Sequence, residues 1–361
     1  MKNRFLILTY LFFNLAAFKF PEDHNFHGDY GIEWCYFVGH LVTTENLKFG
    51  YELSFFKVTL KDKDSVSKIE IFPVHFAISD PNKQIHYSND VLHRGLGGLA
   101  GFDKDLIWSG EYHLQILGKD RFHITANPKD KKISLDFDLE GSGRILSHGK
   151  DGYSVKSRKR LEIFSYYYSY PRLKTKGGFS IEGKKYNVLS GVTWMDHEWS
   201  GALEDIKKDP SMSYSLGAQT TGWDWICLSA EDGSDLVVFR FKENSTAKPE
   251  TFGTYRDPDG KIFSYSKEGE VSMNPVSDEK WKSPDTKIEY PLRWNIRTPN
   301  AKWEVTPIFS KQEFDARKST GTIYWEGMVS AEGTSSDEKK IKANGYLELK
   351  GYSYKKKWWE P

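Results

Sequence analysis

Cysteine is scarce in this chain, with two in 361 residues, Cys35 and Cys227. A disulfide framework is therefore excluded as the source of the fold; one bridge and two buried thiols both stay open. An excess of charge of either sign is absent as well. Lys and Arg number 51 against 50 Asp and Glu, a net charge of +1. No strongly basic face asks for nucleic acid, and none is expected as a partner. Apolar runs long enough for a membrane helix are missing. Helical periodicity is nearly missing too, leaving only residues 204–208 and 278–282 as candidates for short helices. Three catalytic signatures are absent: a Gly-x-Ser-x-Gly elbow, a Walker loop, and a Gly-x-Gly-x-x-Gly turn before a helix. The Gly-rich stretch 95–101 lacks the lysine of a phosphate cradle and reads as a loop over a pocket mouth. No cofactor is expected.

What the chain has in excess is aromatic: 12 Trp, 20 Tyr and 23 Phe. Antiparallel β proteins and pockets for large apolar ligands both favour these residues. Segments 32–42, 49–60, 71–78 and 121–125 combine aromatic and β-branched residues, and polar turn clusters separate them. Residues 225–230 and 236–242 flank Glu231-Asp232-Gly233-Ser234, a hairpin signature. Strands 321–330 and 345–352 close the pattern. The class is all-β, a barrel or sandwich.

The first 18 residues read as a cleaved secretory signal. Lys2 and Arg4 precede a short apolar run, and Ala16 and Ala17 follow. The mature chain is expected outside the cytoplasm. Its length suits two domains, 19–203 and 204–361, with the boundary in the polar, turn-rich stretch after Ser200. The tail Lys355-Lys356-Lys357-Trp358-Trp359 offers a peripheral contact for an anionic membrane surface; a solvated terminus is the other reading.

Two segments put ionisable groups between indole rings: residues 191–199, containing Trp194, Asp196, His197, Glu198 and Trp199, and residues 222–225, containing Trp223, Asp224 and Trp225. A carboxyl beside apolar rings loses hydration, and its pKa rises toward a form that donates a proton. Strand alternation puts Trp194, Asp196 and Glu198 on one face and Met195, His197 and Trp199 on the other. One cavity shared by His197, Trp199 and Asp224 is consistent with it. Asp224 would then deliver a proton to an alkene, the rings would tolerate the cation, and His197 would position water or Asp224. Caps, ion pairs and packed rings are the structural alternative. Glu33-Trp34-Cys35-Tyr36 and Tyr324-Trp325-Glu326 repeat the theme, and Glu33, Trp34, Tyr36 and Trp325 join Trp194, Trp223 and Trp225 as candidate ligand contacts. His24-x-x-His27 sits among acids but lacks further metal ligands at a fixed spacing, so no metal is expected.

At these residues the chain resembles the hydroxyneurosporene synthase (carotenoid 1,2-hydratase) family, also known as AttH-like. Residues 20–24, 33–41, 167–173, 191–199, 222–225, 324–327 and 345–352 carry the resemblance together. It implies two lipocalin-like β domains side by side and an apolar ligand cavity. It also implies a hydro-lyase whose proton machinery matches His197, Trp199 and Asp224. The expected function is binding of an isoprenoid or lipid-like molecule with acid-catalysed hydration or rearrangement. A non-catalytic carrier of a hydrophobic ligand and a secreted hydrolase are the rivals.

Overall fold

The computed structural model describes residues 18–61, 68–129, 132–202, 222–242, 248–276 and 278–352. Most of the leader, the expected helix at 204–208 and the basic tail lie outside them. Antiparallel strand is the dominant regular structure of the described residues, whose one helical element is the 3-10 turn Glu22–His24. Residues 278–282 are not helical. Trp281–Lys282 instead pairs with Glu289–Tyr290 as a two-stranded ribbon, because the bulky Trp281 stacks on Tyr290.

A 13-stranded sheet runs from Tyr30 to Ala202, and a 10-stranded sheet begins at Gly222. The first curls into a nearly closed barrel, the second into a half-barrel. Period-two alternation builds the barrel wall. In strand Ile133–Glu140, Ile133, Leu135, Phe137 and Leu139 are buried, while Asp136, Asp138 and Glu140 face solvent.

Several strands break this rule and are buried on both faces. Among them are Tyr30–Thr43, the stretch 193–200 of Lys184–Ala202, and Gly222–Ala230. One face of each looks into its own domain. Cys35, Phe37, Met195 and Trp199 belong to the first domain's core, and Ile226 and Leu228 to the second's. The other face meets the opposite sheet. Tyr36, Val38, Tyr167, Trp194, Trp225, Cys227, Val237, Phe239, Met328 and Tyr346 form a separate cluster in this seam, with Trp34 and Trp223 half-buried at its margin.

The sheets approach closely where a side chain is missing. A Cβ on Gly50 would fall 2.3 Å from the Tyr346 hydroxyl. A polar clamp fixes the same contact. Arg172 donates from Nε to Asp235 Oδ1 at 2.8 Å and from Nη2 to the Ala230 and Ser234 carbonyls at 2.7 and 2.8 Å. Arg256 pairs with the other oxygen of Asp235 and donates to the Arg144 carbonyl at 2.8 Å. Cys35 faces the barrel interior and Cys227 the seam; both are free and buried. The bridge left open by the sequence is not formed.

Candidate functional site in the seam between the two sheets

The seam holds carboxyls that the sequence alone does not single out. Glu52 and Ser54 alternate with Leu53 and Phe55, so they leave the barrel core and enter the seam. Tyr324, Glu326 and Met328 do the same on the strand Thr322–Ser335, as do Tyr346 and Glu348 on Lys340–Lys350. Glu326 and Glu348 are directly opposed in the register. Two like charges at that spacing in an apolar seam repel strongly, and protonation relieves the repulsion.

Each acid shows the effect. Burial, with the charge of Glu348 added, pushes Glu52 up to about 8. Burial pushes Glu348 up to about 7 against a hydrogen bond from Trp223 and the charge of Lys350. Burial, with Glu52 and Glu348 nearby, holds Glu326 well above the ordinary carboxyl range. The Tyr36 hydroxyl donates to Glu326 Oε1 at 2.5 Å, and the Tyr324 hydroxyl to Glu52 Oε1 at 3.2 Å. Glu52 Oε2 and Glu326 Oε2 have no hydrogen-bond partner among the described residues. His75 lies behind Tyr324, with Nδ1 at 2.7 Å from its hydroxyl, and burial holds the ring neutral, down to about 3.

Asp196 forms a second polar centre in the seam. It accepts from Ser169 Oγ at 2.5 Å, Tyr167 Oη at 2.6 Å and Trp194 Nε1 at 2.7 Å. Burial outweighs these bonds and brings it up to about 7. The network crosses the seam. Trp225 Nε1 donates to Tyr167 Oη at 2.9 Å, and His148 bridges Ser169 to Thr254 at 2.7 and 2.9 Å. With every donor aimed inward, Asp196 ties the sheets together. Glu198 sits farther along the face, ion-paired with Lys156 at 2.6 Å.

Five of the seven residues expected to contact ligand therefore meet in the seam: Trp34, Tyr36, Trp194, Trp223 and Trp225. Two do not. Trp325 turns into the second domain's core and donates to the Ser310 carbonyl at 2.7 Å. Glu33 lies inside the barrel with His197, whose Nε2 is 2.8 Å from Glu33 Oε1. Trp199 is there too, stacked on His27 at 4.2 Å between ring centroids.

The shared cavity expected for His197, Trp199 and Asp224 is not formed. Asp224 points the opposite way, into the second domain, beside Ile226 and Leu228 in its strand. Its oxygens accept from Arg240 Nε at 2.7 Å, Lys242 Nζ at 3.1 Å and Tyr352 Oη at 2.7 Å. That surround makes Asp224 an ion-pair partner inside the second domain. The correction has a simple cause: alternation gives the face of each residue but not which face meets which.

Residues 14–352 match the AttH-like family profile. The chain belongs to the AttH-like family. Among solved structures it is similar to an AttH protein of Nitrosomonas europaea, at 27% identity and a TM-score of 0.79, covering 94% of this chain and 98% of that one. It is also similar to kievitone hydratase of Nectria haematococca, at 13% identity and a TM-score of 0.68, covering 93% and 94%. The latter likeness is one of fold. No curated protein matches the chain. The family and the paired lipocalin-like domains agree with the resemblance read from the sequence.

Proposed function

We propose that this AttH-like protein binds a large apolar molecule, isoprenoid or lipid-like, at the half-buried Trp34–Trp223 margin of the seam. There it adds water to, or rearranges, a carbon–carbon double bond by acid catalysis. The observation that carries the reading is the opposed pair Glu326–Glu348 with Glu52 beside it, crowded carboxyls in an aromatic seam. Glu348 is the acid of choice, because it is half-buried at the margin and poised at about 7. The rings of Trp34 and Trp225 offer negative charge density to a cation formed after proton delivery, while Trp223 carries Lys350 Nζ over its ring at 4.0 Å. Tyr36, hydrogen-bonded to Glu326, is placed to position water or a substrate oxygen.

Support also comes from the fold, which the chain shares with a protein named as a hydratase. The proposal includes export, on the basic-then-apolar leader at residues 2–18.

The test incubates wild type and Glu348→Gln with an apolar cell extract in heavy-oxygen water, followed by mass spectrometry. Wild type is expected to yield a product carrying one labelled water. Glu348→Gln should keep binding the precursor but lose turnover at least ~100-fold. An unlabelled compound retained equally by both proteins would leave a carrier instead. Two fragments, one of them carrying a single labelled oxygen, would indicate a hydrolase.

A further inference from the structure

A second cluster lies inside the first barrel, on the opposite face of the same strands, and the seam chemistry does not use it. Its residues come from three places: His27 from the segment after the 3-10 turn, Glu33 from the strand Tyr30–Thr43, and His197 from Lys184–Ala202. His27 Nδ1 is 2.6 Å and His197 Nε2 2.8 Å from one oxygen, Glu33 Oε1. The three atoms lie within 4.8 Å of one another.

We propose that His27, Glu33 and His197 form a binding site for one divalent transition-metal cation, of the Zn²⁺ or Fe²⁺ type. Two imidazoles and one carboxylate are the donor set of catalytic zinc sites and of non-haem iron sites. The geometry beyond the three atoms points the same way. Ligand histidines have their far ring nitrogen held by a polar partner. Here His27 Nε2 faces Asp23 Oδ1 at 3.3 Å, and His197 Nδ1 faces Tyr168 Oη at 3.1 Å.

Glu33 is oriented as well. Its Oε2 accepts from the His27 backbone N–H at 2.7 Å and lies 3.4 Å from Lys57 Nζ, which leaves Oε1 to the two rings. A cation at about 2.0–2.2 Å from each donor needs only a small outward shift of these side chains. Access is from the side of Asp23 and His27, whose side chains are 24% and 23% exposed; Glu33 and His197 are fully enclosed. Both ring nitrogens must give up the protons they present to Glu33 Oε1. His197 would then carry its proton on Nδ1, toward the Tyr168 oxygen. Because His27 precedes the first strand, the cation would also staple the incoming chain to the barrel.

The test titrates metal-free full-length protein with Co²⁺ and repeats the titration on His27→Gln and Asp23→Asn. The expected result is one equivalent bound, with visible ligand-field bands of an imidazole-containing site. His27→Gln should abolish these bands, and Asp23→Asn should weaken affinity about 10-fold or more. X-ray absorption on the wild-type zinc protein supplies a check that needs no variant, with two imidazoles and one carboxylate expected. Absence of one-equivalent binding would overturn the site, as would binding unchanged in a folded His27→Gln protein. So would a zinc spectrum without imidazole. His27, Glu33 and His197 would then be a hydrogen-bonded network alone.

Discussion

At the scale of single residues, two carboxylates on paired strands have opposite fates. Asp224 and Glu348 both sit in aromatic strands on neighbouring positions of one sheet, Asp224 opposite Leu349 in the register. Asp224 faces the domain interior and meets two cations, while Glu348 faces the seam and meets another acid. Asp224→Asn should therefore act on stability. It leaves Arg240 and Lys242 largely buried without their counter-charge, a loss of about 3 kcal/mol. Urea unfolding of this variant, compared with Glu348→Gln, separates the two roles. A destabilised Asp224→Asn that still turns over ligand is expected; a fully stable but inactive one would return the acid role to Asp224. Inside the barrel, burial pushes Glu33 up, but the hydrogen bonds of His197 and His27 outweigh it and bring it down to about 2. Burial raises Glu348 and Asp196, and facing imidazoles reverse the effect at Glu33.

At the scale of elements, alternation accounts both for what the sequence revealed and for what it hid. Aromatic and β-branched runs with polar turns announced the strands, and their number announced an all-β fold. The placement of Trp194, Asp196 and Glu198 on one face and His197 and Trp199 on the other was also legible, because side-chain period depends on backbone geometry alone. Which faces meet across sheets was not, since that depends on long-range packing. Hence Trp325 was assigned to the ligand and turned inward, while its neighbour Glu326 entered the seam. Glu52 and Glu348 did leave a signal, a lone acid between Tyr51 and Leu53 or between Leu347 and Leu349. It became readable only once both faces of those strands were known to be covered. The His27, Glu33 and His197 convergence has no local signature, as 164 positions separate Glu33 from His197. The close approach at Gly50 gives a test at this scale. Gly50→Ala forces its Cβ against Tyr346 and Met328, with an expected loss of about 2 kcal/mol in chemical denaturation. No loss would mean that the sheets do not pack as closely as described.

At the scale of the whole molecule, the seam makes stability a function of pH. Glu52, Glu326, Glu348 and Asp196 all have folded-state values raised above their ordinary ones. The folded protein then binds more protons than the unfolded chain, so stability falls as pH rises through the folded values. His27, raised to about 9 by Asp23 and Glu33 against the opposing effect of burial, gives a loss of the same sign above its unfolded value. Below about pH 6.5 the buried neutral histidines oppose the trend. His24 and His75, lowered by burial to about 4 and about 3, bind protons only on unfolding there. The clean window is therefore pH 6.5 to 8, where the melting temperature should fall by several degrees. Glu52→Gln should flatten that fall, and an equal slope in the variant would remove Glu52 from the account.

Infrared spectroscopy tests the central claim, that the seam stores un-ionised carboxyls near neutral pH, most directly. At pH 6, where exposed Asp and Glu are ionised, the protein should show the carbonyl band of protonated carboxylic acid. The band should fade toward pH 8.5 and be weaker in Glu52→Gln and Glu348→Gln. A spectrum at pH 6 with no such band would contradict the account, because the opposed Glu326–Glu348 pair would then be charged and could not supply the proton.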